Sequence, residues 1–317
     1  MARSHQLRRL GWITGLVAAS LLSACATTPA GPSSLVPNAT TSATPSVTPS
    51  SSPTPIETNR PSATETTRTT TDVEVGGLSI SVTCQGVDGG APTIVLMHGN
   101  GSGGQGQFDR VTSELLAQSR VCSYNRPGTG STAPPAILPR PITDVVAEAH
   151  GVLQAAGIRG PVLLLGTSEG AAIAFMYAQA HPEGVVGFVA INPNPPYSQW
   201  LEEAAKVETA EELEIYEEPD YRGENPERID NRPNSSMLTD PLPDAMLYAV
   251  MFDDDCGGDT TFCAKVFAPL AAMGVRLAAV GAGGRYVAVP GAGHSIELTN
   301  PNAVIRVVQD VLAEATE

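Results

Sequence analysis

The stretch Pro161-Val162-Leu163-Leu164-Leu165-Gly166-Thr167-Ser168-Glu169-Gly170-Ala171-Ala172-Ile173-Ala174-Phe175 decides the fold. It opens on a short run with no polar face, as a strand buried on both sides would be. It then passes through Gly-x-Ser-x-Gly and resumes as an alanine-rich segment of helix formers. Strand, tight turn and helix in that order give the pentapeptide a meaning it lacks alone. The glycines permit the sharp turn and the close approach of its flanks. The turn lifts the Ser168 hydroxyl clear of the sheet, above the positive end of a helix dipole.

Outward from this point the chain alternates strand and helix. Strand patterns cover 78–84, 93–97, 121–124, 162–165, 185–191, 247–252 and 286–289. Helical spacing covers 108–118, 143–156, 171–180 and 301–315. Thr143 is a plausible cap, Gly157 a stop, and Pro301 suits a first helical turn. Such alternation predicts an α/β fold with a mostly parallel, doubly wound sheet covered on both faces. The alternation stops between 197 and 243. Residues 202–230 hold twelve acids against Lys206, Arg222 and Arg228, which reads as a small acidic cap over a cleft.

A serine hydroxyl needs a base to take its proton. Of five histidines, His5 lies near the N-terminus, and His150 and His181 sit in or after helices. His98 opens a glycine-rich loop after the 93–97 strand. His294 follows Val289-Pro290-Gly291-Ala292-Gly293, between the last strand and the last helix. That position makes His294 the candidate base.

Four segments in order then resemble the α/β-hydrolase family in its serine-hydrolase, esterase- and lipase-like branch. They are His98-Gly99-Asn100-Gly101, Tyr124 to Gly130 (Y-N-R-P-G-T-G), the turn around Ser168, and Gly293-His294 with Asn300-Pro301. The resemblance implies the chain order serine, acid, histidine. It implies an oxyanion hole from the backbone N–H groups of Asn100 and Glu169, with Gly101 as the near alternative. His98 would then brace its loop rather than move protons. Two departures stand out: Thr167 occupies a position where many members carry His, and the cap segment matches none that we can name. The acid belongs just after the 247–252 strand, where Asp253-Asp254-Asp255 stand. The family's spacing favours Asp255 over Asp254 and Asp253. The other family position for the acid, one strand earlier, carries Asn192 and Pro193. A calcium loop on Asp253, Asp255 and Asp259 lacks EF-hand spacing, so no metal and no cofactor is expected.

The ends of the chain add its expected setting. Arg3, Arg8 and Arg9 precede an apolar run over 10–22, too short to span a bilayer. It closes on Leu22-Ser23-Ala24-Cys25, which resembles a bacterial lipobox. The reading is a signal peptide over 1–24, a lipidated Cys25, and a hydrolase domain over 72–317. Residues 26–71 hold 14 Thr, 8 Ser and 8 Pro in 46 positions, a composition that cannot offset its chain entropy by burial and predicts a linker. The protein is thus expected outside the cell, lipid-anchored to the outer face of the membrane. With Cys25 set aside, Cys84, Cys122, Cys256 and Cys263 remain, an even number suited to two disulfides outside the cytoplasm. Local pairing, Cys84 with Cys122 and Cys256 with Cys263, is the simplest of the three connectivities.

Eighteen basic residues against 33 acidic ones leave a formal charge of −15. That disfavours nucleic acid, whose binding needs a basic face to displace counterions. The expected partners are a small-molecule or lipid-like ester and, through the anchor, a membrane. The expected activity is carboxylic-ester hydrolysis through a Ser168-His294-Asp triad and an acyl-enzyme. Its rivals are a proline-iminopeptidase-like peptidase, a cofactor-free haloperoxidase-like enzyme of the same fold, and a surface binding protein without catalysis.

Overall fold

A computed structural model describes residues 67–86, 89–101, 104–209, 227–253, 265 and 268–316. The expectations at the signal peptide over 1–24, at Cys25, at the linker up to 66, at 210–226 of the acidic cap, and at Asp254, Asp255, Cys256, Asp259 and Cys263 lie outside these residues. Among the described residues, no helix is long and apolar enough to cross a membrane.

The strands are β1 (Arg68–Val75), β2 (Leu78–Gln85), β3 (Thr93–Met97), β4 (Val121–Tyr124), β5 (Arg140–Pro141), β6 (Val162–Thr167), β7 (Val185–Ile191), β8 (Ile229–Asp230), β9 (Leu247–Phe252) and β10 (Gly284–Ala288). The helices are α1 (Asp109–Leu115), α2 (Ile142–Ala155), α3 (Glu169–Ala180), α4 (Tyr197–Ala204), α5 (Ala268–Ala278), α6 (Ile296–Thr299) and α7 (Pro301–Ala315). Eight strands form one sheet in the order β1-β2-β4-β3-β6-β7-β9-β10. Strands β1, β2 and β4 pair antiparallel, and from β4 to β10 every pair is parallel. The sheet is therefore mostly parallel, as the strand–helix alternation predicts.

Period-two alternation sends each strand's side chains to two separate cores. Val95, Met97 and Leu164 pack with α2, α3 and Leu277 of α5 on one face. Ile94, Leu96, Leu163 and Leu165 pack with α1 and α7 on the other. The fold is doubly wound.

Three local expectations change. The threonine-rich run 68–71, read as the end of a linker, forms the start of β1, with Thr70 Oγ1 bonded to Thr83 Oγ1 at 2.9 Å. Threonine is a β-branched strand former as well as a linker residue, so composition alone could not divide the two. Helix α2 begins at Ile142 with Pro141 at the N-cap in extended backbone, so Thr143 lies inside the helix and does not cap it. Pro141 is held by β5, which pairs with β8, and delivers the chain into the helix directly. The 108–118 pattern divides into a 3-10 turn at Gly104–Phe108 followed by α1.

Gly157 terminates α2 as expected, with φ +71°, its amide on Gln154 O and the Ile158 amide on Leu153 O. Asn300 caps α7 by accepting from Ala303 N, and Pro301 occupies the first turn. Cys84 and Cys122 are direct cross-strand partners between β2 and β4, and they form a disulfide.

Candidate active site

Strand β6 is buried along its whole length and delivers the chain to Ser168 at φ +54°, ψ −117°. A non-glycine residue in that region costs on the order of 1–3 kcal/mol and persists only where its surroundings enforce it. The surroundings are tight. A Cβ on Gly170 would fall on the carbonyl oxygens of Met97 and His98, and one on Gly166 would fall on Gly170 O and within 2.7 Å of Ala171 Cα. The bare backbone at Gly170 lets the turn press against the end of β3, and that at Gly166 lets the start of α3 fold back closely onto β6. Ser168 N–H donates to Ile191 O, and Ser168 O accepts from Ala171, Ala172 and Asn194 amides. The seryl residue is 8% exposed at the start of α3.

The loop after β3 lies against this turn. A Cβ on Gly99 would meet Ser168 Cβ at 3.2 Å. Gly99 N–H donates to Gln107 Oε1 at 2.8 Å. The Asn100 amide donates to Glu169 Oε2 at 3.1 Å, so a side-chain bond joins the two residues expected to form the oxyanion hole. Glu169 is fully buried, and the same Oε2 accepts from Asn194 at 2.6 Å and Asn231 at 2.9 Å. Asn231 belongs to the segment returning from the acidic region. Its neighbour Asn234 fixes that segment by donating to Pro195 O and accepting from Tyr197 N.

His98 is buried. Its Nδ1 faces Gly99 O at 2.7 Å, and its Nε2 accepts from Arg126 N–H at 3.2 Å. Those partners specify the neutral tautomer with the proton on Nδ1. Burial, reinforced by the Arg126 charge, holds its pKa well below the ordinary histidine range. A ring so occupied braces the loop. The Arg126 guanidinium caps the same turn through His98 O and Gly99 O, and it pairs with Glu227 by two bonds of 2.6 and 3.0 Å. Both partners of this ion pair are buried, so removing either one would leave a costly bare charge.

The histidine loop is held from two adjacent strand ends. Past β9, the Asp253 carboxylate accepts from Gly291 N at 2.9 Å and Gly293 N at 2.6 Å. Past β7, Asn192 adopts φ +41° and donates to His294 O at 2.7 Å and Gly293 O at 3.3 Å. Four bonds thus pin the backbone around His294, whose side chain is exposed. Asp253 therefore serves as a brace of this loop, a role its position in the acid run does not reveal.

Glu297 completes the arrangement. It is fully buried three residues after His294, where Oε1 accepts from Gln107 Nε2 at 2.9 Å and Oε2 from Thr167 Oγ1 at 3.2 Å. Burial raises its pKa, opposed by these donors. Sequence reading missed Glu297, Gln107, Asn194 and Asn231, because each meets the site only through the fold. The position of Thr167, which departs from the common pattern beside the serine, was the one available signal.

The comparisons with known proteins bear on the fold. A model described as "Alpha/beta hydrolase family" matches residues 94–307, more than half of the chain. The chain is 37% identical over 103 residues to RutD of Klebsiella pneumoniae (strain 342), whose name gives it as a candidate carbamate hydrolase. That match takes in 32% of this chain and 38% of RutD, so the chain spans well under half of that relative. Among solved structures, a candidate lipase from Acinetobacter baumannii AYE aligns with a TM-score of 0.57 at 17% identity, over 78% of this chain and 92% of that one. Carboxylesterase CesB (YbfK) from Bacillus subtilis aligns with a TM-score of 0.53 at 17% identity, over the same shares. At such identities the likeness is one of fold.

Proposed function

The chain belongs to the alpha/beta hydrolase family, and from that premise we propose that it is a serine hydrolase of carboxylic esters, acting through an acyl-enzyme. The observation that carries the reading is Ser168, held at φ +54° between two glycines that admit no side chain. Strain of this kind in a buried turn calls for a use, and presentation of a nucleophile at the end of a central strand is one.

In the proposed reaction His294 takes the Ser168 proton as Oγ attacks the ester carbonyl carbon. The carbonyl oxygen becomes an oxyanion, received by the N–H groups of Asn100 and Glu169, each donor being worth about 10²–10³ in rate. Collapse of the tetrahedral species expels the alcohol, which takes the proton from His294. Water, deprotonated by the same histidine, then releases the acid. An aspartate orients the imidazole, and we assign that role to Asp255, the position that the family's spacing favours. The relatives' names, a lipase, a carboxylesterase and a carbamate hydrolase, support acyl transfer to water as the class.

Ser168→Ala tests the reading: it should leave the protein folded and lower kcat on short p-nitrophenyl esters by roughly 10⁴–10⁶. Turnover within tenfold of wild type would remove Ser168 as nucleophile. Proline amides run alongside separate esterase from iminopeptidase action.

The setting belongs to the same proposal: export, cleavage before Cys25, and a lipid on its thiol, with 26–66 as the tether. A diacylglyceryl group with an added acyl chain supplies at least two buried chains, enough for stable anchoring where one is marginal. Cys25→Ser should move the protein from the membrane fraction to the soluble one, and unchanged fractionation would refute the anchor.

A further inference from the structure

The two residues flanking Ser168 are each tied to the glycine-rich loop through a buried carboxylate. On one side Thr167 Oγ1 bonds to Glu297 Oε2, Glu297 Oε1 accepts from Gln107, and Gln107 accepts from Gly99 N–H. On the other side Glu169 accepts from the Asn100 amide. From this juxtaposition we infer that Glu297 and Glu169 are positioning residues that lock the oxyanion loop onto both flanks of the nucleophile turn. The inference rests on the proposed acyl transfer at Ser168.

The loop has reason to need such locks. It carries glycines at 99 and 101, the latter at φ +105°, and such backbone loses the most freedom on ordering. An oxyanion donor contributes only when it sits at hydrogen-bond distance from the developing charge. A carboxyl oxygen can accept more than one hydrogen bond, and a low local dielectric strengthens each of them. The bonds on both carboxylates come from neutral groups, amides and one hydroxyl. A neutral side chain could tie the same elements without the desolvation cost of a buried carboxylate. Both carboxylates sit where the tie reaches residues 99 and 100, beside the serine. Glu169 has a double part: its backbone is one proposed donor, and its side chain anchors the residue that bears the other.

The test compares kcat, KM and inhibitor affinity in Glu297→Ala, Glu169→Ala, Glu297→Gln, Gln107→Leu and Thr167→Val. Glu297→Ala and Glu169→Ala should each lower kcat about ten- to a hundredfold with KM within about threefold, short of losing a whole donor. Affinity for an alkyl boronic acid, which forms a tetrahedral adduct on the serine, should fall by the same factor as kcat/KM. Glu297→Gln, which keeps the size and one acceptor, should stay within about threefold of wild type. Arg110→Ala removes an exposed bond to Leu298 O on the neighbouring helix and should leave kcat within about twofold. A folded Glu297→Ala or Glu169→Ala protein with wild-type kcat and boronate affinity overturns the inference, as does an effect confined to KM or to melting temperature; should Glu169→Ala fail to fold, Asn100→Ala severs its bond to the loop and takes its place under the same criterion. Should Glu297→Ala fail to fold, Gln107→Leu and Thr167→Val each sever one arm. Each must then lower kcat at least about threefold, and wild-type kcat in either overturns the Glu297 half. Activity surviving in Ser168→Ala would topple the proposed function itself. An inactive Ser168→Ala with unaffected glutamate variants would topple this inference alone.

Discussion

At the scale of single residues, Ser168 carries a conformational cost that the rest of the turn sustains. Its φ of +54° lies where a Cβ crowds the backbone, and only glycine is at ease there. Ser168→Gly should therefore raise stability relative to Ser168→Ala by about 1 kcal/mol, the relief of strain exceeding glycine's greater freedom when unfolded. Thermal melts of the two inactive variants check this, and equal midpoints would mean that the turn stores no strain at that position. The sequence singled out the candidate nucleophile and base because each sits in a local pattern: Ser168 between glycines, His294 after a strand and a glycine-rich loop. It did not show Asp253 as a brace of the histidine loop, nor Glu297 at all. Their partners lie 38 to 190 positions away along the chain, and no local pattern encodes a contact at that separation.

Among the elements, the central strands were legible because they are buried on both faces and read as short apolar runs. Strand β1 was not, since five of its eight residues lead with exposed side chains in a threonine-rich context. Helix α5 was missed for another reason. Its sequence holds Pro269 and Gly274, poor helix residues, yet a Cβ on Gly274 would come within 2.5 Å of the Phe252 ring. Close packing against β9 overrides propensity there. The same logic makes the nucleophile turn intolerant. Gly170→Ala forces a methyl group against two β3-side carbonyls, and overpacking of this kind costs about 1–3 kcal/mol or more. We expect a melting temperature several degrees below wild type together with lost activity, whereas an unchanged melt would mean that the turn stands off from β3. The Cys84–Cys122 bond closes a loop over a separation of 38 residues, for which chain entropy gives about 4 kcal/mol. Cys84→Ala with Cys122→Ala should lower unfolding free energy by about 2–4 kcal/mol in denaturant titrations while leaving kcat near wild type, because the bond lies on β2 and β4, away from Ser168. A loss of kcat without loss of stability would contradict that separation of roles.

For the molecule as a whole, one side of the sheet's carboxyl end gathers what the chain keeps apart. The turn at 166–170, the loop at 98–101, the aspartate and asparagine after β9 and β7, and the loop at 291–297 are bonded into one assembly. Open parallel sheets place ligands at that end, and strand order alone assigned the candidate serine, the candidate histidine and the start of the acid run to it. Strand order was silent on substrate, because the side chains that line a pocket set specificity and the fold does not. The central claim is that this assembly activates Ser168. It is tested most directly by incubating the protein with a fluorophosphonate, which reacts quickly only with an activated serine, and sequencing the modified peptide by mass spectrometry. The account predicts rapid, stoichiometric modification on Ser168, abolished in Ser168→Ala and strongly slowed in His294→Ala. Labelling at another residue, or none in the folded wild-type protein, would contradict it.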